Sequence, residues 1–224
     1  MQTVLYHFRF ADGHGASCAV DAQTPPHAEL PAWTALEFQQ CPNCPLQSAS
    51  TPRCPMAVRF VPLIAMMGKL RSYEQVEVCV ETVQRSVSTS TTVQRGIGAL
   101  MGLLSASSDC PHAHFLRPMA HFHLPFASEE ETIYRAASTY LLGQYLLAQQ
   151  GGEPDWALEG LKARYLALQG VNAAMAKRLR HAVAEDGAIN AFILLDLLAK
   201  ALPYSIDEQL DEIKSVFLPA AGPV

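Results

Sequence analysis

The first residues alternate. In Thr3-Val4-Leu5-Tyr6-His7-Phe8-Arg9-Phe10, the side chains of Val4, Tyr6, Phe8 and Phe10 share one face, the period of a half-buried strand. Asp12-Gly13-His14-Gly15 is a turn signal, and Ala16 to Asp21 returns as a second strand, so a hairpin is expected. Residues 24–32 hold three prolines and read as an extended connector. Thr34 to Gln40 alternates again through Leu36 and Phe38, which predicts a short strand running into the first cysteine pair. Pro55 suits the first turn of a helix over Met56 to Leu70, although Pro62 inside it removes a backbone donor and predicts a kink. Gln75 to Val83 alternates most cleanly, with Val76, Val78 and Val80 against Glu77, Cys79 and Glu81. Arg85 to Thr91 is placed to pair with it, giving one sheet of four or five mostly antiparallel strands.

From residue 91 the period becomes helical. Thr91 with Gln94 predicts a capping box for a helix of about 92–106, and Ser128 with Glu131 predicts a clearer one for a helix to about 149, ended by Gly151 and Gly152. Pro154 is expected to open a long helix through Trp156, Leu161, Tyr165, Leu168, Val171, Met175 and Leu179. Gly160 and Gly170 weaken that helix by roughly 1 kcal/mol each unless close packing requires them. Ala188 to Leu202, apolar on most sides, reads as the central buried helix, stopped by Pro203. Ser205 with Glu208 caps a last short helix to about Val216, and Leu218 to Val224 reads as a frayed tail. The expected fold class is α+β. An N-terminal part, residues 1–91, holds a small mostly antiparallel sheet with one helix and a cysteine knuckle. Residues 92–224 form a C-terminal helical bundle, packed with the first part as one unit.

Composition narrows the function classes. The 224 residues are 50% hydrophobic and 17% charged, which excludes intrinsic disorder. A net charge of −5 gives no general attraction to nucleic acid or to anionic membrane. No stretch approaches the ~18 consecutive apolar residues of a membrane span. His7 and Arg9 interrupt the apolar positions of the N-terminus, which therefore does not read as an export signal. A cytoplasmic setting is the expectation, and the six cysteines are read as thiols, thiolates or metal ligands before disulfides.

Four of those cysteines precede proline. Cys41-Pro42-Asn43-Cys44-Pro45 places two thiols two residues apart, Cys54-Pro55 follows, and Asp109-Cys110-Pro111-His112 comes much later. The C-x2-C spacing lets both sulfurs of a tight turn face one ion, and Zn²⁺ in a structural role takes four such ligands at ~2.3 Å. Proline beside each ligand reduces the entropy lost on assembly. Cys41, Cys44, Cys54 and Cys110 are therefore the candidate metal ligands, with zinc as the metal and an iron–sulfur cluster as the alternative. The competing readings are four reduced thiols in a satellite core, or a redox-active Cys41–Cys44 dithiol. Cys18 and Cys79 fall inside expected strands.

His112 and His114 are substitute ligands from the loop of Cys110. His121 and His123 share a face if extended, with Arg117 before them and Glu131 in the first turn of the next helix, a possible secondary site for hydrolysis or a second metal. Acidic residues in a first turn are also what a helix dipole favours. Tyr134, Arg135 and Tyr140 read as a packed helix face. The basic run Lys177-Arg178-Leu179-Arg180-His181 lies near a helix C-terminus, where the dipole favours cations, and does not by itself indicate nucleic acid. Gly96-Ile97-Gly98 lacks the preceding strand of a dinucleotide loop, and no Gly-x-Ser-x-Gly or His-Glu-x-x-His is present.

Trp33 to Leu46, the Cys54-Pro55 step, Asp109-Cys110-Pro111 and Arg117 to Arg135 resemble an uncharacterised bacterial family, a domain of unknown function. The resemblance covers nearly the whole chain and implies a bacterial cytosolic setting without a mechanism. Two functions are then expected to compete. One is a metal-stapled module that binds a protein partner, pairs with a second copy or senses a signal. The other is an iron–sulfur redox protein, or an enzyme using His121, His123 and Glu131.

Overall fold

The computed structural model describes residues 3–21, 30–67, 70–183 and 186–218. The expected connector at 24–32 lies mostly outside these residues, as does the tail from 219. Strands β1 (Val4–Phe10), β2 (Gly15–Val20), β3 (Gln75–Glu81) and β4 (Ser86–Thr92) form an antiparallel sheet in the order β2-β1-β3-β4. Register follows the apolar alternation: Tyr6 stands opposite Cys18 and Val80, and Phe8 opposite Ala16 and Val78. Val4, Tyr6, Phe8, Val76, Val78 and Val80 are thereby buried on one face. A one-residue slip would expose them all. Gly13, at φ +89°, makes the hairpin turn, where a side chain is disfavoured.

Helices α1 (Pro55–Met67), α2 (Val93–Ala106), α3 (Arg117–His121), α4 (Glu129–Gln149), α5 (Glu159–Ala182), α6 (Gly187–Glu212) and α7 (Lys214–Phe217) follow in chain order. The α+β class is as expected. α2 lies against the buried face of the sheet. At Gly96 a Cβ would stand 2.9 Å from Val78 Cγ2 and 3.3 Å from Phe8 Cε1, so glycine sets the helix-to-sheet distance. α6 packs on α2 and α5, and Phe192 of α6 meets Phe60 of α1 edge to face at 5.8 Å. One hydrophobic cluster runs from the sheet into the helices.

Several elements differ from expectation. Thr34 to Gln40 is not a strand: Ala32–Thr34 is a 3₁₀ turn, Ala35 bridges Arg53, and Gln39 takes φ +48°. The alternation there reflects two unrelated contacts, Leu36 in the core and Phe38 against the His181 ring at 5.2 Å. Pro62 lies inside α1 without ending it. The N-cap of α2 is Thr92, with no side-chain bond. The first amides of α2 instead meet the loop before β3, Val93 N donating to Glu74 O at 2.8 Å and Gln94 N to Ser72 O at 3.1 Å. Ser128 and Glu131 do form the reciprocal capping box of α4.

α5 begins at Glu159 rather than at Pro154, because residues 154–158 form a turn tied by Asp155. The Asp155 carboxylate accepts from Gly160 N at 2.7 Å and from the Tyr140 hydroxyl at 2.9 Å. Pro203 does not stop α6; the helix bends by 74° between Ala188–Tyr204 and Ile206–Glu212. Ala191, Phe192 and Leu202 of α6 are buried while Leu194 and Leu197 are exposed, so the helix is covered on one side rather than all round. Among the described residues no single helix is long and apolar enough to cross a membrane.

Candidate functional site

Three separated segments supply the four candidate cysteines. The knuckle closes with Cys44 N donating to Cys41 O at 3.1 Å. Asn43, between the two, is held from both sides: its Nδ2 donates to Ala167 O of α5 at 2.8 Å, and its carbonyl accepts from His112 Nε2 at 2.7 Å. Gly170 permits this approach, since a Cβ there would stand 2.9 Å from Asn43 Oδ1. The cost of a glycine inside α5 is thus the condition for docking the knuckle. Cys54 leads into α1, its amide donating to Thr34 O at 2.8 Å and its carbonyl accepting from Val58 N at 3.0 Å. Cys110 opens the 3₁₀ turn Pro111–Leu116 and accepts from Ala113 N at 2.9 Å through its carbonyl.

The thiols are close enough to act on one another's charge. Burial pushes the Cys41 thiol up to about 12, and Cys54, Cys44 and Cys110 each push it in the same direction. Burial likewise raises Cys110 to about 11, reinforced by Cys54 and Cys44, while the amides of His112 and Ala113 favour its thiolate. Each sulfur therefore stands within electrostatic reach of others contributed by distant parts of the chain. All six cysteines are free thiols; Cys54 and Cys110 are buried, Cys41 and Cys44 half-buried. Among the described residues, no group of three or more His, Cys, Asp or Glu side chains is arranged so that it could hold a metal ion.

Arg178 is a buried cation of this region. It is 1% exposed, and its guanidinium donates to Trp33 O, Ala35 O and Leu36 O at 2.7, 2.6 and 2.7 Å. Burial lowers its pKa, whereas Cys54, Cys41 and Cys44 favour its charge. Sequence reading placed Arg178 in a basic run at a helix end. Its spacing from Val171, Met175 and Leu179, which puts it on the buried stripe of α5, was the available signal.

The secondary-site residues find separate partners. His112 holds Asn43, and Arg117 pairs with Asp109 at 2.8 Å. His114 lines a cavity of about 320 Å³ with Phe115, Met119, Tyr140, Arg164 and Tyr165. His121 stands edge-on to the exposed Phe122 ring at 4.7 Å. The Tyr6 hydroxyl donates to His123 Nε2 at 2.6 Å, and burial, aided by Arg135, pushes that imidazole down to about 4. Glu131 closes the capping box with Ser128.

The class is thus an α+β protein, an antiparallel sheet followed by helices, in which a cysteine knuckle is docked on α5 near a buried arginine of the same helix. The chain belongs to the family of the domain of unknown function DUF6901, whose model matches residues 4–218. No curated protein and no solved structure matches it.

Proposed function

We propose that Cys41, Cys44, Cys54 and Cys110 bind one metal ion, zinc in a structural role, and that the protein is a metal-stapled interaction or sensing module of a bacterial cytoplasm. The observation that carries this is that Cys54 and Cys44 act on both the Cys41 and the Cys110 thiol, so that sulfurs from three segments lie near one another. An all-sulfur donor set suits Zn²⁺, which would supply a closed, redox-inert crosslink. The ion would remove the thiol protons that burial otherwise retains, and the Arg178 guanidinium would offset part of the negative charge of four thiolates. Binding would require the four sulfurs to take up a closer arrangement than the one they have here. Zinc is preferred to an iron–sulfur cluster because the cysteines do not form a closely spaced cluster-binding run. A protein partner or a second copy is the proposed object of recognition.

Anaerobic purification with elemental analysis tests the reading. One zinc per chain in a colourless protein, a lower Tm on chelation, and loss of both metal and stability in Cys44→Ser are expected. A metal-free protein whose Cys44→Ser variant is as stable as wild type overturns it. A brown protein absorbing near ~400 nm that bleaches on reduction assigns the alternative cluster to the same sulfurs.

A further inference from the structure

The uncovered face of the sheet carries a second arrangement, remote in sequence from the knuckle. Ser17 Oγ lies 2.8 Å from His7 Nδ1, and the other ring nitrogen of His7 lies 3.7 Å from the Glu81 carboxylate. Strand register creates this row. Ser17 on β2 is directly opposite His7 on β1, and Glu81 on β3 is its diagonal neighbour. Phe10 N donates to His14 O, so alternation along the hairpin makes His7–Ser17 a non-hydrogen-bonded pair, the kind whose side chains stand closer. By the same alternation the Ser17 amide points to the outer edge of β2, an edge strand. The three residues line an open groove of about 990 Å³ across the sheet, with Arg9, Glu77 and Ser88 also facing it.

We propose that Ser17, His7 and Glu81 form a nucleophilic site for esters of polar alcohols. Ser17 is the nucleophile, His7 the general base and Glu81 a positioning residue that favours the His7 tautomer with a proton on Nε2. Ser17 Oγ adds to the ester carbonyl carbon while its proton passes to His7 Nδ1. The C–O bond to the alcohol then breaks, and the alcohol leaves with that proton. Water hydrolyses the acyl-serine, releasing the carboxylic acid and restoring Ser17. The outward Ser17 amide is the donor for the developing oxyanion. Cys79 sits on the same row opposite His7, but its thiol is directed at Glu81 Oε1 (3.8 Å), whereas the Ser17 hydroxyl is in hydrogen-bond contact with the His7 ring and is therefore the nucleophile. Arg9, Ser88 and Ser90, which also line the groove, offer hydrogen bonds to a polar alcohol group.

A fluorophosphonate probe on the full-length protein tests this, with the adduct mapped by mass spectrometry and Tm measured for each variant. Wild type is labelled at Ser17 and Ser17→Ala is not. His7→Gln slows labelling at least about a hundredfold. Glu81→Gln slows it about tenfold at unchanged Tm, and Glu81→Asp restores part of the rate, a pattern that a purely structural carboxylate would not produce. Absence of a Ser17 adduct in wild type, or equal labelling of His7→Gln, overturns the proposal. Neither outcome bears on the four cysteines.

Discussion

The guanidinium of Arg178 on α5 donates at 2.7 Å to the carbonyl of Leu36, 142 residues earlier in the chain. With Trp33 O and Ala35 O it binds three carbonyls of the irregular segment that runs into the knuckle. Arg178→Met keeps most of the apolar stem and removes three hydrogen bonds from buried backbone, leaving Ala35 O only its bond from Phe38 N, so it should destabilise by about 3–5 kcal/mol in urea unfolding. Arg178→Lys retains the charge without the planar fork and should cost about 2 kcal/mol. If both variants match wild type, the arginine does not anchor the segment before the knuckle.

Gly170 should resist substitution in a helix that otherwise favours alanine. Gly170→Ala gains about 1 kcal/mol of helix propensity, but its Cβ must displace Asn43 and strain the bond to Ala167 O. The expected result is no net stabilisation together with faster reaction of Cys41 and Cys44 with Ellman's reagent in the presence of chelator. A stabilised protein with unchanged thiol reactivity would show that the knuckle does not need the close approach.

His123 gives stability a defined pH dependence. Its folded pKa, pushed down to about 4, lies below the ~6.5 of an unfolded histidine, so between those values the unfolded chain binds more protons. Stability should therefore fall as pH drops from about 6.5 to about 4, by up to ~3 kcal/mol, and this contribution should level off below that. His123→Phe should flatten the slope in that window, measured by urea unfolding at a series of pH values. It also leaves the buried Tyr6 hydroxyl without its acceptor, at a cost of about 1–3 kcal/mol at neutral pH.

At Gly96 the contacts are with core side chains, Val78 and Phe8, rather than with the end of a flexible chain. Gly96→Val should overpack the interface between α2 and the sheet and destabilise by about 1–3 kcal/mol by chemical denaturation. An unchanged midpoint would mean that α2 can shift outward freely.

Much of the fold was legible because its signals are local. The valines of β3 repeat every second residue, and Asp12-Gly13-His14-Gly15 sits between two alternating runs. Ser128 and Glu131 satisfy each other within one helical turn. Where expectation failed, a distant partner had overridden the local rule. Leu36 and Phe38 mimic a strand period while meeting the core and His181 separately. Asp155, bound to Tyr140 and Gly160, delays α5 past Pro154. Tertiary packing carries α6 through Pro203 as a bend.

The candidate site divides in the same way. The prolines and the two-residue spacing single out Cys41, Cys44, Cys54 and Cys110 as candidates, since knuckle chemistry is written in neighbouring residues. The chain order was silent on Arg178 as a buried counter-charge, on Asn43 as the docking residue, and on Ser17 facing His7 across a hairpin. Those relationships exist only once helices and strands are packed, because hydrogen bonds and charges act through a few ångströms of space and are indifferent to separation along the backbone.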